Sequence, residues 1–364
     1  MHVKILVEKR TIHKTSASRP QGLKRSRGVA LITAMLVTSI ATLAAVALAS
    51  RQSIDIRRTG NVLESEQAYL YVLGIETVAK ELLLQYTKQG QHYDDPELLF
   101  VPYTFPVDNG VVNGNLLDME ARYNINNLLD DKGEPINTEK LRLERLITLV
   151  AAKLDESVDP QGLVNAVVDW LDENEETTFP GGAEDSEYSS AETPRRAANR
   201  RIASTSELFM VEGFTAELLR GKTVDDEVVP GLLNYVSALP GNATTINVNT
   251  AETEVLQALS SYITDANIET VIAGRPFEDV SKFKDQDTFK DLVAKETDPQ
   301  KKTQLQNQLN ADLAGLDVES SYFVVNATAQ VGRSASLLNS LIYRDTAGRS
   351  EVLTISRAQG TDGI

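Results

Sequence analysis

Hydrophobic and polar positions divide this chain into blocks of different period. From Gly28 to Ser50 no residue is charged, and Val29 to Ala49 is apolar for 21 residues. At about 1.5 Å per residue a helix of that length crosses a hydrocarbon core of roughly 30 Å. Beyond Arg51 apolar residues recur at Val62, Tyr69, Val72, Ala79, Leu83 and Tyr86. That spacing predicts an amphipathic continuation, one helix from Val29 to Gln85 that is apolar all round in its first half.

Further on, Asn115 to Tyr123 alternates imperfectly and predicts a strand after Gly114. Helical patterning then prevails from Thr138 to Leu313, with helices expected over Leu141 to Leu154 and Gly162 to Leu171. Tyr322 to Val331, Ser336 to Arg344 and Glu351 to Arg357 are rich in Val, Tyr, Ile and Thr and predict strands, with Asp345 to Gly348 as the last turn. The fold class is therefore α+β. A long N-terminal helix covers a small antiparallel sheet of one early and three late strands, interrupted by a large inserted all-α domain.

The uncharged run admits three readings. A plain membrane anchor fits its length, and a secretory signal peptide fits its Ala47-Leu48-Ala49 tail. A prepilin-type leader places the cut after Gly28 and leaves the helix on the mature protein, beginning at Val29. The amphipathic continuation favours the third, because a signal peptide has no use for it and its apolar region runs only about 7 to 15 residues. Lys24, Arg25 and Arg27 precede the run. Such a basic flank holds its end in the cytoplasm and sends the rest across the membrane.

Composition narrows the chemistry. There is no cysteine, and His2 and His13 precede Gly28, which leaves His92 alone after it, in a polar stretch expected to be a surface loop. Histidine zinc sites, cysteine nucleophiles and Ser-His-Asp triads are hard to build from such a chain. Residues 1 to 28 carry a net charge of +7, so the remainder carries −23. An acidic body of that size repels nucleic acid and anionic lipid and attracts divalent cations or basic partners.

The acid is concentrated. Leu154 to Pro194 holds twelve Asp or Glu and no Lys or Arg, among them Asp169, Asp172, Glu173, Glu175, Glu176, Glu184, Asp185, Glu187 and Glu192. Oxygen ligands without nitrogen or sulfur favour calcium over zinc. Asp172, Asn174 and Glu176 have the alternate spacing that opens an EF-hand loop, but Thr177 and Ala183 stand where its glycine and closing glutamate belong. An irregular calcium loop is expected instead, with Gly181 and Gly182 folding carboxylates inward and Asp172, Asn174, Glu184, Asp185 and Asn199 as ligands. A solvated acidic loop is the plain alternative.

In the second helical unit, Ile246 to Ala251 and Gly274 to Val280 resemble the opening and close of a helix-hairpin-helix (SAM-like) module, with Thr250 placed to cap the next helix. Ser260-Ser261-Tyr262 replaces the glycine hairpin and the surroundings are acidic, so a packing role is expected and no nucleic acid as partner.

Together, the leader join, the run Asp118 to Leu128, Asp169-Trp170-Leu171-Asp172, Gly182 to Asp185 with Tyr188, Asn199, Ser206-Glu207-Leu208 and Asn247 to Ala251 resemble the type II secretion minor pseudopilin K family, the general secretion pathway K proteins. The likeness covers nearly all of the chain after Gly28, although the 28-residue leader is longer than the family's. It implies a pilin-like head with an inserted helical domain and two calcium ions. It also implies processing by a prepilin peptidase, a methylated Val29 amine and a place at the pseudopilus tip beside the I and J minor pseudopilins. The expected division is leader 1–28, membrane helix 29–50, first part of the head 51–127, insert 128–318 and closing strands 319–364. The inner membrane is crossed once, with the head in the periplasm of a Gram-negative cell, where secreted proteins are further candidate partners.

Most pilins carry a glutamate fifth after the cut, where it meets a neighbour's N-terminal amine; here that residue is Thr33. A carboxylate in the bilayer costs roughly 2.5 to 3.5 kcal/mol unless paired, so a subunit with no neighbour above it is better off neutral. Two other classes stand beside this non-enzymatic assembly role. One is a membrane-anchored, calcium-dependent hydrolase using Asp169 with Asp172 or Glu184 with Asp185, and the other a DNA-uptake pseudopilin.

Overall fold

A computed structural model describes residues 27–88, 93–190, 193–224, 226–241, 243–345 and 351–359. Leader residues 1–26, His92, Glu192 and most of the 345–348 turn lie outside these.

Helix α1 runs from Arg27 to Lys88, close to the expected bounds. Two compact units divide within it, one ending at Gly60 and one beginning at Asn61. In the first, every residue from Gly28 to Arg58 is exposed, and its apolar stretch is long and apolar enough to cross a membrane. In the second, α1 buries Ala68, Val72, Leu83 and Tyr86, while Val62, expected on the same face, is exposed.

Those residues pack on a five-stranded antiparallel sheet. Its strands, in the order β1-β2-β9-β10-β11, are β1 (Tyr103–Val107), β2 (Gly110–Asp118), β9 (Tyr322–Val331), β10 (Ser334–Arg344) and β11 (Val352–Gln359). Between β2 and β9 lie six short strands, paired as β3 (Tyr123–Asn124) with β6 (Val236–Ser237), β4 (Gly221–Val224) with β5 (Glu227–Pro230), and β7 (Ile246–Asn247) with β8 (Leu316–Asp317). Val72 shares one buried cluster with Val112, Ala329 and Leu338, and Leu83 shares another with Leu116, Phe323 and Ile342. Gly114 permits this approach, since a Cβ there would lie 2.4 Å from Ile75 Cγ2.

The early strand differs from its expected bounds. It ends at Asp118, whose Oδ1 accepts a hydrogen bond from Glu120 N at 2.8 Å and turns the chain out of the sheet. β1 was not foreseen because Pro106 interrupts its apolar run. It is an edge strand, where proline is tolerated.

The other helices are α2 (Pro96–Leu99), α3 (Asn137–Lys153), α4 (Pro160–Leu171), α5 (Asp185–Ser189), α6 (Ala216–Arg220), α7 (Thr253–Leu259), α8 (Ile268–Ile272), α9 (Val280–Lys284), α10 (Asp287–Lys295) and α11 (Pro299–Asp312). All but α2 belong to the insert, whose own core includes Leu146, Val150, Leu163, Trp170, Leu256 and Phe283. Thr250 does not cap α7: Glu252 holds that position without a side-chain bond, and Thr250 Oγ1 donates to Asp118 Oδ2 at 2.5 Å. The Thr250 hydroxyl instead satisfies a buried carboxylate that would be costly to leave unpaired.

Insert and head are joined by a buried polar network. Arg344 Nη2 donates to both Asp94 oxygens at 2.8 and 2.9 Å, and Asn247 Nδ2 lies 3.2 Å from Asp94 Oδ2 and from Asp118 Oδ2. Ser320 donates its Oγ to Asp118 at 2.7 Å and its backbone N to Asp94 at 2.7 Å.

Candidate functional site

The acidic loop is built outward from α4. Asp159 caps this helix, accepting from Gly162 N at 3.2 Å, and ten consecutive residues from Gly162 to Leu171 are buried. The apolar ones fix the helix in the insert core, with Trp170 set edge-on to Tyr188 at 5.2 Å between ring centroids. Helix α4 ends at Asp172, and the chain after it folds back: Asn165 Nδ2 donates to Pro180 O at 2.7 Å and Thr178 N donates to Asp169. Gly181, at φ +78°, comes so near Gly162 that a Cβ would sit 2.5 Å from its Cα, so the return needs a glycine.

The fold-back buries Asp169, Asp172 and Glu184. Asp169 is satisfied by the Thr178 amide at 3.0 and 3.2 Å. Asp172 Oδ1, both carboxylate oxygens of Glu184 and Asn199 Oδ1 are buried with no hydrogen-bond donor among the described residues. Such orphaned acceptors are rare in folded proteins and call for a partner. Burial, with Asp169, Asp172 and Asp185 nearby, pushes Glu184 up to about 7. Burial and Asp169 push Asp172 up to about 6.

The five expected ligands are not equally placed. Asp172, Asn174 and Asn199 line one cleft of about 760 Å³, and Glu184 interacts electrostatically with Asp172. Asn174 Oδ1 accepts from Glu176 N at 2.7 Å, and Asp185 Oδ1 from Ala197 N at 2.9 Å, so these two also hold loop backbone. Asn199 adopts φ +44°, which turns the chain at the cleft. Among the described residues no three His, Cys, Asp or Glu side chains cluster as a ready metal site. An ion here would draw on mixed oxygens, which suits calcium's flexible coordination. The sequence reading missed the turn Asp130 to Glu134, which lines the same cleft. Its Asp130-Asp131 pair was the available signal, remote along the chain.

The alternative chemistries fare less well. Asp169 and Glu184 are 0 and 2% exposed, out of reach of a glycan. At the hairpin, Ser260 Oγ donates inward to Asp312 Oδ2 at 2.7 Å and offers nothing to phosphate. In the first unit Gly28 and Val29 open α1, and Thr33 Oγ1 donates to Val29 O at 3.1 Å and Ala30 O at 3.0 Å. The hydroxyl is satisfied within its own helix.

Comparison with known proteins gives a consistent outcome. The family described as "Type II secretion system (T2SS), protein K" matches residues 121–241 and 246–306. Type II secretion system protein K of Pseudomonas aeruginosa is 32% identical over 344 residues, covering 92% of this chain and 93% of that protein. Its counterpart from Aeromonas hydrophila is 28% identical over 344 residues, with 88% and 94% covered. Among solved structures, a chain of the GspK-GspI-GspJ complex from enterotoxigenic Escherichia coli superposes with a TM-score of 0.64 at 26% identity, covering 84% of this chain and all of that one. With the long helix, the five-stranded head and the helical insert in place, the chain belongs to the type II secretion system protein K family, the minor pseudopilins of that system.

Proposed function

We propose that this chain sits at the tip of the periplasmic pseudopilus, where it assembles with the I and J minor pseudopilins, starts the fibre and supports export of folded proteins across the outer membrane. The observation that carries this reading is the likeness, over the whole of the matched chain, to a member of the GspK-GspI-GspJ complex. Its role is structural, not enzymatic. A prepilin peptidase cuts after Gly28, the Val29 amine is methylated, and the apolar part of α1 stays in the inner membrane with its basic end in the cytoplasm. Thr33 suits the topmost subunit. Its hydroxyl is bonded at 3.1 and 3.0 Å inside the helix, so no carboxylate awaits an amine from above.

Calcium belongs to the same reading, as two ions bound at the acidic loop. Asp172, Glu184 and Asn199 supply the oxygens that lack donors, and Asn174 and Asp185 are the further side-chain ligands. When bound, the cation neutralises carboxylates that burial would otherwise leave protonated. The residues around it fix the fold-back of the loop on α4.

Mass analysis of the mature N-terminus tests the assembly reading. A chain starting at Val29 is expected, and one starting at Ser50 would replace this reading with a cleaved signal peptide. Copurification of the head from Arg51 onward with I and J is expected, and failure of the head to bind either would count against the assembly reading.

A further inference from the structure

A second polar cleft lies away from the acidic loop, where the head meets the insert. It has a volume of about 610 Å³. The head contributes Phe100 and Leu117, the turn after β2 contributes Arg122, and the insert contributes Glu252, Arg275 and Pro276.

Both arginines are only partly exposed and poorly served. Among the described residues the Arg122 guanidinium makes no hydrogen bond or salt bridge. Arg275 donates Nη2 to Ala251 O at 2.7 Å, but its Nε is buried without an acceptor. Burial, opposed by Glu252, lowers Arg275 to about 10, and burial likewise lowers Arg122 against the pull of Glu252 and Asp118. Glu252 thus acts on both guanidiniums without touching either, and it is itself exposed.

Asp118, on the same wall, cannot serve them. Its oxygens already accept from Thr250, Ser320, Asn247 and the Glu120 amide at 2.5, 2.7, 3.2 and 2.8 Å. Arg275 keeps a buried Nε without an acceptor, and Arg122, partly open to solvent, faces the same opening with no acceptor from the described residues. Unmade bonds of that kind are costly, and a planar guanidinium is shaped to receive a carboxylate.

We infer that this cleft receives the side-chain carboxylate of an acidic residue, flanked by an apolar one, on a partner polypeptide, held between Arg122 and Arg275. Charge and wall chemistry select this occupant. Asp95, Glu97 and Glu252 line the cleft beside Asp118, so the two arginines stand among four carboxylates and a singly charged carboxylate meets less repulsion than a phosphate. Phe100, Leu117 and Pro276 give a neighbouring apolar side chain a surface to pack on.

The test uses the full chain in detergent micelles with nitrogen-15 in its arginines, so that the Nε–Hε signals report directly. The probe is the blocked dipeptide acetyl-Leu-Glu-amide, with acetyl-Leu-Gln-amide and inorganic phosphate as controls. Saturable shifts of the Arg122 and Arg275 signals are expected with the glutamate peptide alone. Arg122→Lys and Arg275→Lys assign the two signals, keep the charge and lose the fork, and each should weaken binding about tenfold. Glu252→Gln should tighten it. Absence of shifts up to the solubility limit, equal shifts with the glutamine peptide, or response to phosphate only would each overturn the inference. Should either lysine variant fail to fold, Arg122→Gln or Arg275→Gln assigns the missing signal, and the three titrations of the unaltered chain then decide.

Discussion

Two acidic clusters are buried in this molecule, and they are built on opposite terms. At the junction of head and insert, Asp94 and Asp118 face Arg344, Asn247, Ser320 and Thr250, and hydrogen bonds from the protein serve both carboxylates. In the acidic loop, Asp172 and Glu184 are as deeply buried, yet three of their four carboxylate oxygens meet no donor among the described residues. Burying a carboxylate is expensive in both places. One cluster brings its own cation and donors, and the other is left short by an amount that an external cation can make up. A buried acidic group therefore points to a ligand only when its hydrogen-bond account fails to close.

The contrast is sharpest if the junction is deprived of its cation. Arg344→Met leaves Asp94 buried without its cationic partner and should destabilise the folded unit by about 3 to 5 kcal/mol in chemical denaturation. That loss should not depend on calcium. If it does, the two clusters are not independent.

At the loop the dependence is reversed. An ion held only by the folded state stabilises it by about 2.7 kcal/mol at a concentration one hundred times its Kd. Chelation should therefore lower the melting temperature by several degrees and expose the loop from Leu171 to Glu184 to protease. Glu184→Gln is the finer probe, because it removes an unpartnered buried charge. It should destabilise in excess calcium and be neutral or stabilising in chelator. Unchanged melting on chelation, with the same sign for the variant in both buffers, would refute the calcium site.

How far the sequence discloses these features follows from their locality. The uncharged run, the helix behind it and the late strands are written in consecutive residues, and α1, β9 and β10 fall close to their expected bounds. α3 and α4 fall similarly close. The acidic loop was visible as a charge run, but spacing could not separate Glu184, whose oxygens are orphaned, from Glu187, which accepts from Glu184 N at 2.9 Å. β1 was hidden by Pro106. The junction was illegible because Asp94, Asp118, Asn247, Ser320 and Arg344 are separated by up to 250 positions, and only the route of the insert brings them together. Thr250 illustrates this, read as a local cap and found bonded to Asp118 across 132 positions.

A smaller effect distinguishes members of the junction by pH. Burial pushes Glu120 up to about 8 from an ordinary value of 4.5, whereas at Asp94 the Arg344 pair opposes the same effect. The Glu120 contribution is fully present below about pH 4.5 and is lost as pH rises from there through 8, because the unfolded chain ionises first. Glu120→Gln keeps an acceptor for Ser321 N, now at 2.5 Å from the carboxylate, and removes the charge. It should flatten the decline in melting temperature between pH 5 and 8, and a slope equal to that of the unaltered chain would assign the decline elsewhere.

The smallest effect comes from Glu76, a carboxylate buried on α1 against β10 and β11, which tests the same rule with the opposite slope. It accepts from Arg357 at 2.6 and 2.8 Å, Thr354 at 2.6 Å and Ser340 at 2.8 Å, with Lys80 at 3.0 Å. Burial raises its pKa, but those donors outweigh burial and hold it well below the usual carboxylate range. Its stabilisation is therefore present above about pH 4.5 and lost as pH falls. Arg357 is 47% exposed and three other donors remain, so Arg357→Met should cost only about 1 kcal/mol at pH 7. In acid the cost should shrink, since the unaltered chain has lost the same interaction. A variant that falls further behind as pH drops from 5 to 3 would mean that Arg357 packs β11 on the sheet through its aliphatic stem, not through its charge.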